Sequence, residues 1–277
     1  MARTTMTRTD RGRHLCAGVT LLAALAAAAS AHATPRPLPF TYIYETLPAG
    51  EAEIELYTDV TPLRLVDPSA NPAMHLVPQY QVEIEYGLTD RLELGLYLVY
   101  APTDLSGFLY APHMTEGSGI KQRLRYRFAD AGQWPVDTAV YGELVENDHE
   151  IELEAKVILQ RRVGPFRIAA NAWAELEYEW AGSEKALVVN PTAGVVLEKW
   201  VTVQPGIEYW MHGEYVNGPG WVIKPTHYVG PTVMLQFGKV WWSSGVYLRA
   251  SGLETPAIGS GDPLGAVWAR TIVGISY

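Results

Sequence analysis

The chain has 277 residues, of which 48% are hydrophobic and 18% charged, and its 30 acidic against 21 basic side chains give a formal net charge of −9. An acidic balance argues against nucleic acid as a partner. The lone cysteine, Cys16, excludes a disulfide within the chain.

The elements begin with a targeting signal. Arg3, Arg8, Arg11 and Arg13 precede an apolar run at 19–29, and Ala31-His32-Ala33 forms a small-x-small cleavage site. This order is that of a secretory signal peptide over residues 1–33. The alternative, a membrane anchor, is disfavoured because the run is too short to span a bilayer comfortably. Cys16 lies before the run, whereas a lipoprotein cysteine would follow it. Removal of the signal takes away the cysteine and the four arginines with one aspartate, so residues 34–277 are more acidic still. Charges interrupt every later apolar run before the roughly twenty residues a membrane helix needs. An exported chain without such a helix enters a membrane only as a closed barrel, because lipid offers no partner to an open sheet edge.

Residues 34–50, opening with TPRPLP, are expected to form an extended periplasmic segment. Strands follow at 51–57, 79–87, 91–100, 119–128 and 136–146. The plainest unit is 149–180, two long arms joined by a turn at Val163-Gly164. On its first arm Ile151, Leu153, Ala155, Val157 and Leu159 alternate with Glu152, Glu154, Lys156 and Gln160. A period of two over such a length marks a strand with one apolar and one polar face. Each arm is longer than a usual globular strand and about the length of a tilted membrane-crossing one. Four more strands, at 186–198, 201–213, 228–237 and 240–250, and a last one at 264–277 complete twelve. Proline- or glycine-rich loops fill 59–78, 101–118, 214–226 and 251–263.

Connections after even-numbered strands are tight, and those after odd-numbered strands are mostly longer. Outer-membrane barrels have short periplasmic turns, longer outer loops and an even strand number, which puts both termini on the periplasmic side. Trp134, Trp200, Trp241 and Trp242 fall near the tight turns, and Trp180, Trp210, Trp221, Tyr100, Tyr215 and Tyr228 near the other ends. Two such groups suit the aromatic girdles of membrane interfaces. The chain closes on Tyr277 behind alternating Val267, Ala269, Thr271, Val273 and Ile275, a terminal strand of the kind recognised by barrel-insertion machinery. The expected fold is therefore all-β: a transmembrane antiparallel up-and-down β-barrel of about twelve strands in the cell outer membrane. Its contacts would be outer-membrane lipid, lipopolysaccharide and the insertion machinery. The alternative is a periplasmic β-sandwich, for which strands of this length are unusual.

The stretch YGLTDRLELG, from Tyr86 to Gly95, resembles a hairpin of outer-membrane proteins associated with the meta-pathway of phenol degradation. The resemblance covers one hairpin and implies a transporter; it signals a fold more than a solute.

The polar faces should line a lumen. A two-residue turn at Val163-Gly164 sets Glu152 opposite Glu175 and Glu154 opposite Trp173. A tip at Asn147-Asp148 sets Glu143 opposite Glu152 and Tyr141 opposite Glu154. The preceding turn sets Lys121 opposite Glu143, Arg123 opposite Tyr141, and Arg127 opposite Asp137. A basic strand, Lys121, Arg123, Arg125 and Arg127, then stands beside an acidic wall of Glu143, Glu152, Glu154, Glu175, Glu177 and Glu179. Either these side chains form a salt-bridge lattice that fills the barrel, with Arg123 and Glu154 as partners, or they line a narrow path for a small charged solute. Twelve strands leave limited space inside. A barrel hydrolase is the remaining class: Asp148-His149 sits at an outward tip, although turn chemistry is the much commoner reason for such a pair. His75, His113, His149, His212 and His227 lack metal-ligand spacing, and neither a metal nor a cofactor is expected.

Overall fold

Thirteen strands alternate along the chain in the computed structural model, which describes residues 34–61, 77–100, 118–147, 150–180, 185–216, 223–250 and 267–277. They are β1 (Ala52–Thr61), β2 (Val77–Thr89), β3 (Leu92–Tyr100), β4 (Gly119–Arg127), β5 (Asp137–Asn147), β6 (Glu150–Val163), β7 (Phe166–Glu179), β8 (Lys185–Val189), β9 (Thr192–Leu197), β10 (Val203–Val216), β11 (Ile223–Phe237), β12 (Val240–Arg249) and β13 (Val267–Ser276). Every pairing is antiparallel, and β13 pairs with β1, closing the sheet into a barrel. β8 and β9 share one position between β7 and β10, separated at Asn190-Pro191. Pro191 has no N–H to offer the ladder. The barrel thus has twelve strand positions.

Period-two alternation decides which side chains face out. Leu144, Leu153 and Leu176 stand side by side across β5, β6 and β7, and Leu153 and Leu176 are 56% and 57% exposed. Ile84, Leu96, Leu98, Leu124, Ile207 and Leu248 continue this apolar surface around the barrel. Water-soluble monomers do not carry an apolar belt of this extent, and barrels in hydrocarbon do. Leu153→Arg is accordingly expected to cost about 2–4 kcal/mol of folding free energy in lipid vesicles, as for a midplane arginine. Glu154→Gln, one residue along and facing inward, should cost much less. Equal losses in urea titrations would put the two faces the wrong way round.

Strand ends differ from the sequence reading. β1 runs to Thr61 and β2 starts at Val77, inside the expected loop 59–78, and β10 and β11 likewise enter the expected loop 214–226. Pairing with a long neighbour overrides the local breaker signal of Pro78 and Pro225. Three registers are also corrected. The β6–β7 tip is Gly164-Pro165, with Val163 opposite Phe166 and Gly164 at φ 57°, so Glu152 faces Glu177, Glu154 faces Glu175 and Lys156 faces Trp173. Across β5 and β6, Glu143 faces Glu154 and Tyr141 faces Lys156. Across β4 and β5, Lys121 faces Val145, Arg123 faces Glu143, Arg125 faces Tyr141 and Arg127 faces Ala139. Each register is two residues from the expected one, which leaves every side chain on its expected face.

The aromatic girdles are corrected in part. Trp134, Trp180, Trp200 and Trp242 are on the outer surface, but Trp210, Tyr228 and Trp241 are buried inside. Position along a strand sets depth, whereas parity sets the face. Trp241 lies flat where Gly274 has no side chain: a Cβ there would be 2.1 Å from the indole. Trp221 and the signal segment 1–33 lie outside the described residues.

The largest departure concerns residues 34–50, expected as a periplasmic extension. They instead form a loop inside the lumen, with Arg36, Leu38, Phe40, Tyr42, Tyr44 and Leu47 all buried. From Arg36, buried beside Glu55 of β1, the loop passes Phe40 and reaches the tight-turn end, where the Gly50 amide donates to Gly87 O at 2.8 Å. β1 then begins at Ala52. Within the barrel the interior is therefore a layer of inward side chains wrapped around this N-terminal hairpin.

Candidate functional site

The hairpin has no strand partner, so its backbone groups need other acceptors and donors. Inward side chains from distant strands provide them. The Phe40 and Thr41 amides donate to Glu208 Oε1 at 3.0 and 2.5 Å. Asn171 on β7 accepts from the Tyr42 amide at 2.7 Å and donates to its carbonyl at 3.0 Å. The Tyr44 amide donates to Gln160 Oε1 at 3.2 Å, and the Leu47 amide to Glu93 Oε2 at 2.7 Å. Small residues make room for the apolar side chains: Leu38 sits against Ala169 and Val196, and a Cβ on Gly194 would lie 2.6 Å from Leu38 Cδ1. Phe40 enters an aromatic cluster, stacked on Trp210 at 4.7 Å and edge-on to Tyr247 at 5.1 Å, with the Arg270 guanidinium over its ring at 3.8 Å. Asp59 holds Arg270 with two contacts of 2.6 Å.

Around this loop, two charged groups among the described residues contain most of the sequence-derived candidates, and a further set joins Glu45 of the loop to Arg162, Arg167 and Glu198. The first joins β1–β4 on the tight-turn side. Arg123 Nε donates to Glu83 at 2.6 Å, its Nη1 to Glu93 at 2.6 Å, and its Nη2 to Glu85. Arg125 Nη2 contacts both Glu93 oxygens, at 2.7 and 2.9 Å. Arg36 of the hairpin approaches Glu55 at 3.4 Å and lies over the Tyr42 ring at 3.8 Å. Arg123 reaches β2 because it crosses β3 at Gly95, where a Cβ would be 2.5 Å from its Nε.

The second group is an acidic wall on β5–β7. Lys121 Nζ lies 3.4 Å from Glu143, and Lys156 donates to Glu154 while sitting 3.9 Å from the Tyr141 ring centre and 3.8 Å from that of Trp173. Asn190 donates to Glu175 at 2.8 Å. Carboxylate oxygens of Glu152, Glu175 and Glu177 gather within 4.8 Å of one another. Of the sequence-derived candidates, Glu143, Glu152, Glu154, Glu175 and Glu177 therefore come together with Lys121. Arg123 and Arg125 turn the other way, into the β2–β3 carboxylates. Arg123 and Glu154 are not partners: Glu143 lies between them in the ladder. Arg127 pairs with Asp130 at 2.9 Å at the tight-turn rim, and Glu179 is exposed at its strand end. At that rim, outside the spanning strands, slight desolvation would raise the Asp130 carboxyl, but the guanidiniums of Arg91 and Arg127 hold it below its usual range.

Sequence reasoning missed Glu53, Glu55, Glu83, Glu85, Glu93 and Glu208. The signal was present: in EAEIELY and QVEIEYG glutamates occupy successive positions of one face, and in RLELG Glu93 stands between two leucines of the other face. His212 and His227 fall on opposite faces of adjacent strands and cannot share a metal, since parity places His212 with Trp210 and separates His227 from Tyr228. His227 Nδ1 instead lies 2.7 Å from Tyr209 Oη. His75, His113, Asp148 and His149 lie outside the described residues.

A closed antiparallel barrel with an apolar exterior and a polar, side-chain-filled interior has the architecture of bacterial outer-membrane barrels. No family model matches the chain, and no curated protein matches it by sequence. Among solved structures it is similar to an outer-membrane channel from Pseudomonas putida F1, at 12% identity and a TM-score of 0.53, with 84% of this chain and 98% of that one covered. LpxR from Salmonella typhimurium follows at 8% identity and a TM-score of 0.42, covering 81% and 99% of the two chains. OmpT of Vibrio cholerae aligns at 10% identity and a TM-score of 0.40, covering 84% and 100%. At 12% identity the likeness to the Pseudomonas putida channel bears on the fold alone.

Proposed function

We propose that the protein is an outer-membrane channel for a small solute, closed at rest by its own N-terminal hairpin. The observation that carries this reading is how the hairpin is held. Its backbone hangs on individual side chains, Glu208, Asn171, Gln160 and Glu93, rather than on a strand ladder. A loop held so can withdraw without unpairing the barrel. Above it, the acidic wall of Glu143, Glu152, Glu154, Glu175 and Glu177 faces Lys121 and Lys156 among the described residues, a charge balance that favours cations over anions at the entrance. The YGLTDRLELG hairpin supports a transporter but does not name its solute. Tyr277 would present the last strand to the insertion machinery, and the outer apolar belt would meet lipid and lipopolysaccharide.

The rival is a barrel whose lumen never opens. It is favoured by the small free space beside the hairpin, about 60 Å³ between Arg36, Tyr42, Lys121 and Lys156. Deleting residues 36–47 separates the two. In planar bilayers the deleted barrel is expected to conduct steadily with cation selectivity, and Glu175→Gln in that background to weaken the selectivity. A deleted barrel that inserts, resists protease and stays silent would defeat the channel reading.

A further inference from the structure

The tight-turn half of the lumen contains more buried acid than base. Glu53 on β1 stands directly opposite Glu85 on β2, and Glu55 opposite Glu83. Like charges in directly opposed positions repel, and all four residues are at most 1% exposed. The guanidiniums of Arg36, Arg123 and Arg125 share Glu55, Glu83, Glu85 and Glu93, with Glu53 adjoining. Three cations against five carboxylates leave two negative charges uncompensated in a closed interior, where an unpaired charge is costly. Neutral groups also face the cluster among the described residues: Trp241 Nε1 donates to Glu53 at 2.8 Å, Ser276 Oγ to Glu53, Tyr57 Oη to Glu55 and to Glu83 at 2.6 Å, and the Leu47 amide to Glu93 at 2.7 Å, while Tyr97 Oη accepts from Arg123 at 3.1 Å.

One carboxylate oxygen from each of Glu53, Glu55 and Glu85 lies within 4.8 Å of the others. Glu55 Oε1, on a fully buried side chain, has no hydrogen-bond partner among the described residues. Ca²⁺ binds oxygen at about 2.3–2.6 Å, so a single ion can bridge oxygens at this separation. All three ligands are hard carboxylate oxygens, the donor type for Ca²⁺ rather than for a thiolate- or imidazole-seeking metal. We infer that Glu53, Glu55 and Glu85 form a binding site for one divalent, oxygen-seeking cation of the Ca²⁺ type. Its charge matches the uncompensated pair. The ion ties β1 to β2, and through Ser276 and Trp241 it reaches β13 and β12, so it staples the seam where the first and last strands close the barrel. This site does not depend on whether the lumen conducts.

The test uses the full barrel refolded in detergent and stripped with a chelator. Terbium, a luminescent stand-in for Ca²⁺, should bind with emission sensitised by Trp241 excitation, and added Ca²⁺ should displace it. Glu55→Gln should weaken Ca²⁺ binding at least about tenfold, the loss of one charged ligand (1.4 kcal/mol per decade). Glu152→Gln in the acidic wall should leave this ion in place. Thermal unfolding gives a second readout: Ca²⁺ should raise the wild-type midpoint and not that of Glu55→Gln. If the carboxylates hold protons instead, wild type will bind no ion here. Glu55→Gln will then raise stability without regard to Ca²⁺, and either result overturns the proposal.

Discussion

Arg123→Ala is expected to cost about 3–5 kcal/mol of barrel stability, the usual effect of removing one partner from a buried ion network. Arg123 is fully buried and is shared by Glu83, Glu85 and Glu93. Without it Glu85 loses its ion-pair partner, while Glu93 keeps Arg125 and Glu83 keeps Arg36 at 3.9 Å. In chelator-treated protein the rescue should therefore come from Glu85→Gln, which ought to recover part of the loss in an Arg123→Ala background. Glu154→Ala, the partner that the sequence register suggests, should recover nothing, because Glu154 is served by Lys156. Double-mutant cycles in urea titrations check both pairs. Coupling between Arg123 and Glu154, with none between Arg123 and Glu85, would contradict the structure.

The second large effect concerns the hairpin. Glu208 Oε1 accepts from two consecutive amides, and its other oxygen accepts from Tyr247. Hydrogen bonds to a charged group contribute about 1.5–3 kcal/mol each. Losing the pair at the low end, about 3 kcal/mol, shifts the balance between seated and withdrawn hairpin by roughly a hundredfold. Glu208→Ala should therefore raise the open fraction in single-channel records by about that factor if the withdrawn state is rare in wild type. Barrel stability should change little by comparison. A cysteine at Phe40 in a Cys16→Ser background offers a direct check, since Cys16 is the one cysteine of the sequence. Its labelling by an aqueous maleimide should be slow in the otherwise native protein and much faster with Glu208→Ala. Equal labelling rates would mean that Glu208 does not hold the loop.

Both predictions rest on contacts that the sequence shows only by half. Alternation decided the face of each strand: Glu152, Glu154 and Lys156 point inward, and Leu153 and Leu176 outward, because successive side chains of a strand must take opposite sides. It decided the twelve positions of the barrel through the spacing of turns. The same rule, applied to 51–57 and 79–87, would also have placed Glu53, Glu55, Glu83 and Glu85 inside. Register was not decided, because a slip of two residues preserves every face. The turn at Gly164-Pro165 settles it through backbone geometry, with Gly164 in a left-handed conformation.

What only the tertiary structure decided is who meets whom across the lumen. Arg123 turns toward β2 because Gly95 leaves space over β3, a feature of two strands together rather than of either alone. Trp210, Tyr228 and Trp241 were placed by their position along the strand, whereas their burial depended on parity within it. Residues 34–50 alternate over Leu38, Phe40, Tyr42 and Tyr44, but that period names no partner for them. Their conformation is set by side chains as far away as Glu208, 168 residues along the chain from Phe40. The sequence determined a barrel with a charged interior, since periodicity is a local property. The fold alone determined that residues 34–50 fill that interior, since the side chains that hold their backbone lie on distant strands.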